Sequence, residues 1–232
     1  MVRTFFFKLC FFIGIILICI FFTLGLILPR KVVIFGGKIA GYWAYICLKI
    51  FASTNIEIRG LENLERNNKF FIACTHQSIF ETFYLQTIFN SPYFILKKEL
   101  IKIPLFGLFL KKIGCISVQR NKISKHNLNF FSQVKQSIES TERPLIIFPQ
   151  GRRFKTNERP EFKKGVSRIY ELNISCQPVV MNSGDVWPKV GKINFNKKLI
   201  ISILKPIRPG IYKENFKENL QELMYDELER IT

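Results

Sequence analysis

Histidine and acidic residues are scarce in this chain: 232 residues contain two His, and 17 Asp and Glu stand against 35 Lys and Arg. Only His76 and His126 are available for histidine chemistry. The shortage of acid leaves a net charge of +18, which calls for an anionic partner, either nucleic acid or a phospholipid surface with a phosphorylated substrate. Cys10, Cys19, Cys47, Cys74, Cys115 and Cys176 fall singly, with no C-x-x-C pair and no His at ligand spacing. That pattern argues against a disulfide scaffold or a zinc module and for a reducing, cytoplasmic compartment. Internal repeats and long low-complexity stretches are absent. Hydrophobicity is not lacking. Apolar residues make up 48% of the chain, Phe alone fills 24 positions, and mean hydropathy is +0.13. A disordered tail is therefore excluded, and lipid is favoured over nucleic acid as the anionic partner. The length suits one domain with an appendage.

No charge interrupts residues 9–28, a run that as a helix matches the hydrocarbon thickness of a bilayer. It ends in Leu28-Pro29-Arg30-Lys31 rather than at a small-residue cleavage site, so a membrane anchor is expected and not a removed signal peptide. A second apolar stretch, 39–51, clusters Tyr42, Trp43 and Tyr45 beside Lys38 and Lys49, as interfacial helices do. The first helix either spans or lies in one leaflet. Alternatively the two form a hairpin broken at Pro29 and at Gly36-Gly37. Residues 1–53 are thus expected to be the anchor and 54–232 the globular domain, and a chain starting near Ser53 is expected to be more soluble.

Beyond Asn55 the apolar runs become short. Strands are expected at 70–74, 93–96, 115–118, 145–148, 178–181 and 199–204, several continuously apolar and so covered on both faces. Helical patterns lie at 79–89, 103–112, 128–140, 165–172 and 216–230. This alternation predicts an α/β domain whose largely parallel sheet has flanking helices, preceded by the membrane-anchoring helix pair.

His76 follows the strand 70–74 directly, at the carboxyl edge where such sheets place ligands. Ser78 and Glu81 form an S-x-x-E capping box that starts a helix at Ser78 and leaves His76 in the turn before it, free to fold toward Glu81. A carboxylate on one ring nitrogen fixes the tautomer and makes the other nitrogen a general base for a substrate hydroxyl. The same residues also fit a simple cap with His76 as a turn residue. As a cap alone, Glu81 would be replaceable by Gln with little loss of stability. His126 sits in a polar loop and is read as a surface residue. Arg120 and Arg153 each close a strand near a glycine (Gly114-Cys115-Ile116-Ser117-Val118-Gln119-Arg120 and Phe148-Pro149-Gln150-Gly151-Arg152-Arg153), which suits bidentate phosphate binding. Their surroundings are basic: 97–125 holds eight Lys or Arg against one Glu, and 143–168 eight against two.

Taken in order, these blocks resemble those of the 1-acyl-sn-glycerol-3-phosphate acyltransferase family: H-x4-D, G-x-x-F/I-x-R, F-P-E-G-T-R and a final V-P-V, here Gln177-Pro178-Val179-Val180. Lys97-Lys98-Glu99-Leu100 with Ile103-Pro104-Leu105-Phe106-Gly107 is similar to a connecting segment of the family, and Asn182-Ser183-Gly184 to a later landmark. The resemblance covers about Asn55 to the C-terminus. It implies acyl transfer from acyl-CoA or acyl carrier protein to the sn-2 hydroxyl of lysophosphatidic acid, giving phosphatidic acid for phospholipid synthesis on the cytoplasmic face of the inner membrane. It further implies His76 as general base, Glu81 as its orienting partner, Arg120, Gly151 and Arg153 around the acceptor phosphate, and neither metal nor cofactor. Glu81 stands where the family usually has Asp, Gln150 where it has Glu, and Arg152 where it has Thr. Gln150 and Arg152 are therefore taken as possible lining residues, with acceptor choice left open. Glycerol 3-phosphate or another lysophospholipid as acceptor, or a non-catalytic lipid-binding membrane protein, are the competing readings.

Overall fold

The computed structural model describes residues 2–66, 69–119, 130–211 and 214–232. Among them, seven strands form one sheet in the order β1-β7-β6-β2-β5-β3-β4. These are β1 Asn55–Arg59, β2 Phe70–Cys74, β3 Tyr93–Lys97, β4 Ile116–Val118, β5 Leu145–Ile147, β6 Ser175–Met181 and β7 Lys198–Ile203. All neighbours run parallel except β6 and β7, so the expected α/β class with a largely parallel sheet holds. Strand β1 was not expected, although Ile56 and Ile58 alternate with Glu57 as an edge strand requires.

Continuous apolar strands follow from a sheet covered twice. In β2, Phe71 and Ala73 join one core, while Ile72 and Cys74 point into the other, as the two-residue period dictates. The first core is closed by α4 Phe106–Ile113, α5 Phe130–Ser140, α6 Gly165–Tyr170 and α7 Phe216–Ile231, contributing Phe109, Val134, Val166 and Leu220. The second is closed by α1 Val2–Phe21, α2 Arg30–Ala52 and α3 Phe80–Ile88, contributing Phe7, Ala44 and Leu85.

The N-terminal helices differ from their expected limits of 9–28 and 39–51. α1 begins at Val2 because its charges find partners on the domain: Arg3 donates to Phe51 O at 2.7 Å and lies over the Phe195 ring, and Lys8 donates to Gly191 O. The chain then tightens into a short 3-10 turn, Thr23–Leu26. There a Cβ on Gly25 would come within 3.2 Å of Val32 and Val33. α2 starts straight after Pro29 and runs unbroken through Gly36-Gly37, contrary to the expected break. These glycines serve packing instead: a Cβ would meet the Phe22 ring at 2.9 Å from Gly36 and Gln86 Oε1 at 2.4 Å from Gly37. Arg3 against Phe51, the Trp43 indole donating to Phe11 O, and Phe22 against Phe35 make α1 and α2 an antiparallel hairpin.

Candidate active site

Parallel strands β2 and β6 end side by side, and Thr75 joins them: its Oγ1 accepts the Met181 N–H at 2.8 Å and donates to Met181 O. Past this clasp the two chains diverge into the turn 76–79 and the turn at Asn182-Ser183-Gly184. His76 and Glu81 meet in the space between. His76 Nδ1 lies 3.7 Å from Glu81 Oε2, and the Glu81 side chain is fully buried. The imidazole stacks on Phe148, ring centroids 4.0 Å apart and planes 16° from parallel, which fixes its plane.

A buried carboxylate needs donors, and Glu81 has them from two directions. Oε1 accepts the backbone N–H groups of Gln77 at 3.1 Å and Ser78 at 2.9 Å, and the Ser183 hydroxyl also donates to it. Oε2 accepts the Ser78 N–H at 3.1 Å. Only half of the expected capping box is formed: Glu81 reaches back to the Ser78 N–H, but Ser78 Oγ accepts from Phe80 instead, and α3 starts at Phe80. Ser183 went unnoticed in the sequence except as a landmark. Nothing local connects it with Glu81, because the contact arises from the adjacency of β2 and β6.

Gln150 does not line the site as expected. It is buried, its Oε1 accepts the His76 N–H at 2.6 Å, and its Nε2 reaches Tyr225 OH at 3.4 Å. An amide suits a position that must accept at one end and donate at the other, since Tyr225 OH already donates to Pro160 O. Gln150→Leu, which keeps the bulk and removes both bonds, is expected to cost about 1–3 kcal/mol, read as a lower thermal midpoint. An unchanged midpoint would mean that the His76 N–H finds another acceptor.

Gly151 follows in the left-handed region, φ 74°, where glycine is favoured. It turns the chain so that Arg152 and Arg153 emerge beside the site, and the Phe154 N–H bonds His76 O at 3.0 Å. Arg152 is exposed and lies over the Phe154 ring, and Arg153 is half-buried. Neither forms an ion pair among the described residues. Arg120 and His126 lie outside the described residues. Thus His76, Glu81, Gln150, Gly151, Arg152 and Arg153 come together at the carboxyl edge of the sheet.

Cys74 is the nearest thiol in sequence to His76. Burial first, and then the Glu81 charge, push it well above its ordinary range, so it stays protonated and is no nucleophile at neutral pH. Nδ1 is on the carboxylate side of the ring, 3.7 Å from Glu81 Oε2, and a proton held there by the carboxylate would leave Nε2 as the acceptor. The arrangement can take a proton from a hydroxyl and support the imidazolium that results, with guanidinium groups beside it for an anion.

A histidine–carboxylate pair with arginines beside it, at the carboxyl edge of a largely parallel α/β sheet, is an arrangement suited to activating a hydroxyl next to an anion. The family model described as Acyltransferase matches residues 55–182, and the chain belongs to that family. A 1-acyl-sn-glycerol-3-phosphate acyltransferase of Pseudomonas aeruginosa is 31% identical over 146 residues, 62% of this chain and 55% of the relative. The chain therefore spans little more than half of that protein's length. One of Helicobacter pylori is 29% identical over 185 residues, 78% of this chain and 77% of the relative. The crystal structure of the 1-acyl-sn-glycerophosphate (LPA) acyltransferase PlsC from Thermotoga maritima has the same fold, with a TM-score of 0.80 at 19% identity over 99% of this chain and 96% of that one.

Proposed function

We propose that this protein transfers an acyl chain from acyl-CoA or acyl carrier protein to the sn-2 hydroxyl of 1-acyl-glycerol 3-phosphate, giving phosphatidic acid. The observation that carries this reading is the buried Glu81 beside His76 Nδ1, next to Arg152 and Arg153, which form no ion pair among the described residues. His76 Nε2 takes the hydroxyl proton as the oxygen attacks the thioester carbonyl. The tetrahedral adduct then collapses, the C–S bond breaks, and the proton passes to the departing thiolate. Glu81 holds the ring and balances its charge, while Arg153 binds the acceptor's phosphate, with Arg120 a second candidate. The names of the relatives support the acceptor.

Attachment to the cytoplasmic face of the inner membrane is part of the same reading. α1 and α2 are each long and apolar enough to cross a bilayer. Their outer faces expose Phe5, Phe12, Ile16, Phe21 and Phe35, and the turn between them exposes Ile27, a concentration of large apolar side chains that marks a lipid or protein contact. Yet Val33 and Ala52, near opposite ends of α2, are both buried. A helix held along its whole length cannot cross the bilayer while the domain stays in water. The hairpin therefore lies in one leaflet, with the site at the lipid surface, and six free cysteines suit a reducing compartment.

Lipid product analysis after incubating membranes with labelled acyl donor and a panel of acceptors tests the activity. Product from glycerol 3-phosphate alone would overturn the choice of acceptor. Arg153→Ala is expected to raise KM for lysophosphatidic acid by roughly tenfold to a hundredfold, the loss of a charge-assisted bond, with Arg153→Lys restoring only part of it. Equal loss toward an acceptor without the phosphate would make Arg153 structural.

A further inference from the structure

A groove of about 850 Å³ opens beside the histidine, a volume suited to a cofactor-sized ligand. Its walls are the segment 152–158, the connection 184–198 between β6 and β7, and the last residues of α7. One end adjoins the catalytic turn: Phe154 donates to His76 O, and the Gly184 N–H bonds Gln77 Oε1 at 3.0 Å. The other end is at Lys197 and Lys198, on β7 and the residue before it. Cations dominate the lining, with Arg152, Arg153, Lys155, Lys189, Lys197 and Lys198 against Glu158 and Asp185. Lys198 pairs with Glu57. The other five cations form no ion pair among the described residues.

The two ends are too far apart to serve one small anion. β7 lies two strands from β2, about 10 Å across the sheet. Lys197 also stands roughly three residues above the level of Asn182, which bonds Ile200, adding about 10 Å along the strand. The acceptor's phosphorus is only a few bonds, roughly 5 Å, from its reacting oxygen. A hydroxyl at His76 therefore places that phosphate at the Arg153 end, and the distant lysines need another anion. In the thioester donor, an extended pantetheine arm separates sulfur from phosphorus by roughly 15 Å, which matches the span of the groove.

We propose that this groove seats the acyl donor, with the thioester at the His76 end, the pantetheine arm along the groove and its phosphate on Lys189 and Lys197. The inference rests on the reading that a thioester is the donor. The phosphate is that of free CoA or the one joining the arm to a carrier protein, and the two are separable by experiment.

Full-length protein in lipid nanodiscs is titrated calorimetrically with CoA and, separately, with phosphopantetheinylated carrier protein, as wild type and as Lys189→Glu and Lys197→Glu. Both lysines are exposed, so neither change threatens the fold. Each reversal is expected to weaken binding roughly tenfold. A loss seen only with CoA identifies the nucleotide-linked source, and one seen only with the carrier protein identifies the protein-linked source. Unchanged affinity for both probes overturns the assignment. Turnover distinguishes the failures: acyl transfer by wild type with lysine-independent binding removes this site and leaves the activity. Lysine-dependent binding without transfer to any acceptor removes the activity and leaves the site.

Discussion

Glu81→Gln is expected to lower kcat by about 10⁴, the scale seen when an amide replaces the carboxylate behind a catalytic histidine. The carboxylate faces donors only: two backbone N–H groups, the Ser183 hydroxyl and the Nδ1 side of His76. An amide must turn its NH₂ toward some of them. If it faces His76, Nδ1 becomes the acceptor, the proton moves to Nε2, and the base is lost. Stability also falls, by about 1–3 kcal/mol for donors left facing a donor, so the expectation that Gln would replace Glu81 without penalty is corrected. Glu81→Asp keeps the charge and is expected to lose far less activity. His76→Ala should abolish turnover in either background, and the two effects should be non-additive, as for groups acting as a unit. Steady-state kinetics with melting curves checks all four; wild-type kcat for Glu81→Gln would overturn the pair.

Removing residues 1–53 is expected to yield aggregated protein. The sequence alone suggests the opposite, a more soluble domain, because the anchor reads as an appendage. In the fold it is half of a core. Phe7 and Phe11 pack edge-on against Trp187, Phe11 also meets Phe83, and Tyr45 stacks on Tyr84. A Cβ on Gly41 would come within 2.6 Å of Phe83 O, so α2 and α3 touch at the backbone. Uncovering Phe83, Tyr84 and Trp187 costs about 1.5–3 kcal/mol each, together comparable with the whole stability of a typical domain. Size-exclusion chromatography and circular dichroism of the shortened chain check this. A monomeric, cooperatively melting product would show that the helix pair is dispensable for folding.

Among the described residues, six of the seven strands and the α-helices of the domain were legible as local patterns. β2 is a continuous apolar run and β7 one interrupted only by Ser202 after Lys198, because helices cover both faces, and their limits lie close to those expected. The placement of His76 between a strand and a helix was equally local: Ser78 and Glu81 announce a helix start, and a residue just upstream of one is in a turn. The composition by itself favoured a lipid surface over nucleic acid as the anionic partner. Tertiary structure decided the remainder. Gly36-Gly37 read as a break because glycine disfavours an isolated helix, but α2 is not isolated, and Phe22 and Gln86 fill the space that those glycines leave. Gln150 read as a possible lining residue because it stands where the resembled family has Glu; its partners are the His76 N–H and Tyr225 on α7, 74 and 75 residues away. Ser183 donates to Glu81 across 102 residues of sequence, and only the parallel pairing of β2 with β6 brings them together. Periodicity and turn chemistry act over a few residues and are written in the chain, whereas which strand ends become neighbours is settled by burying both faces of the sheet at once.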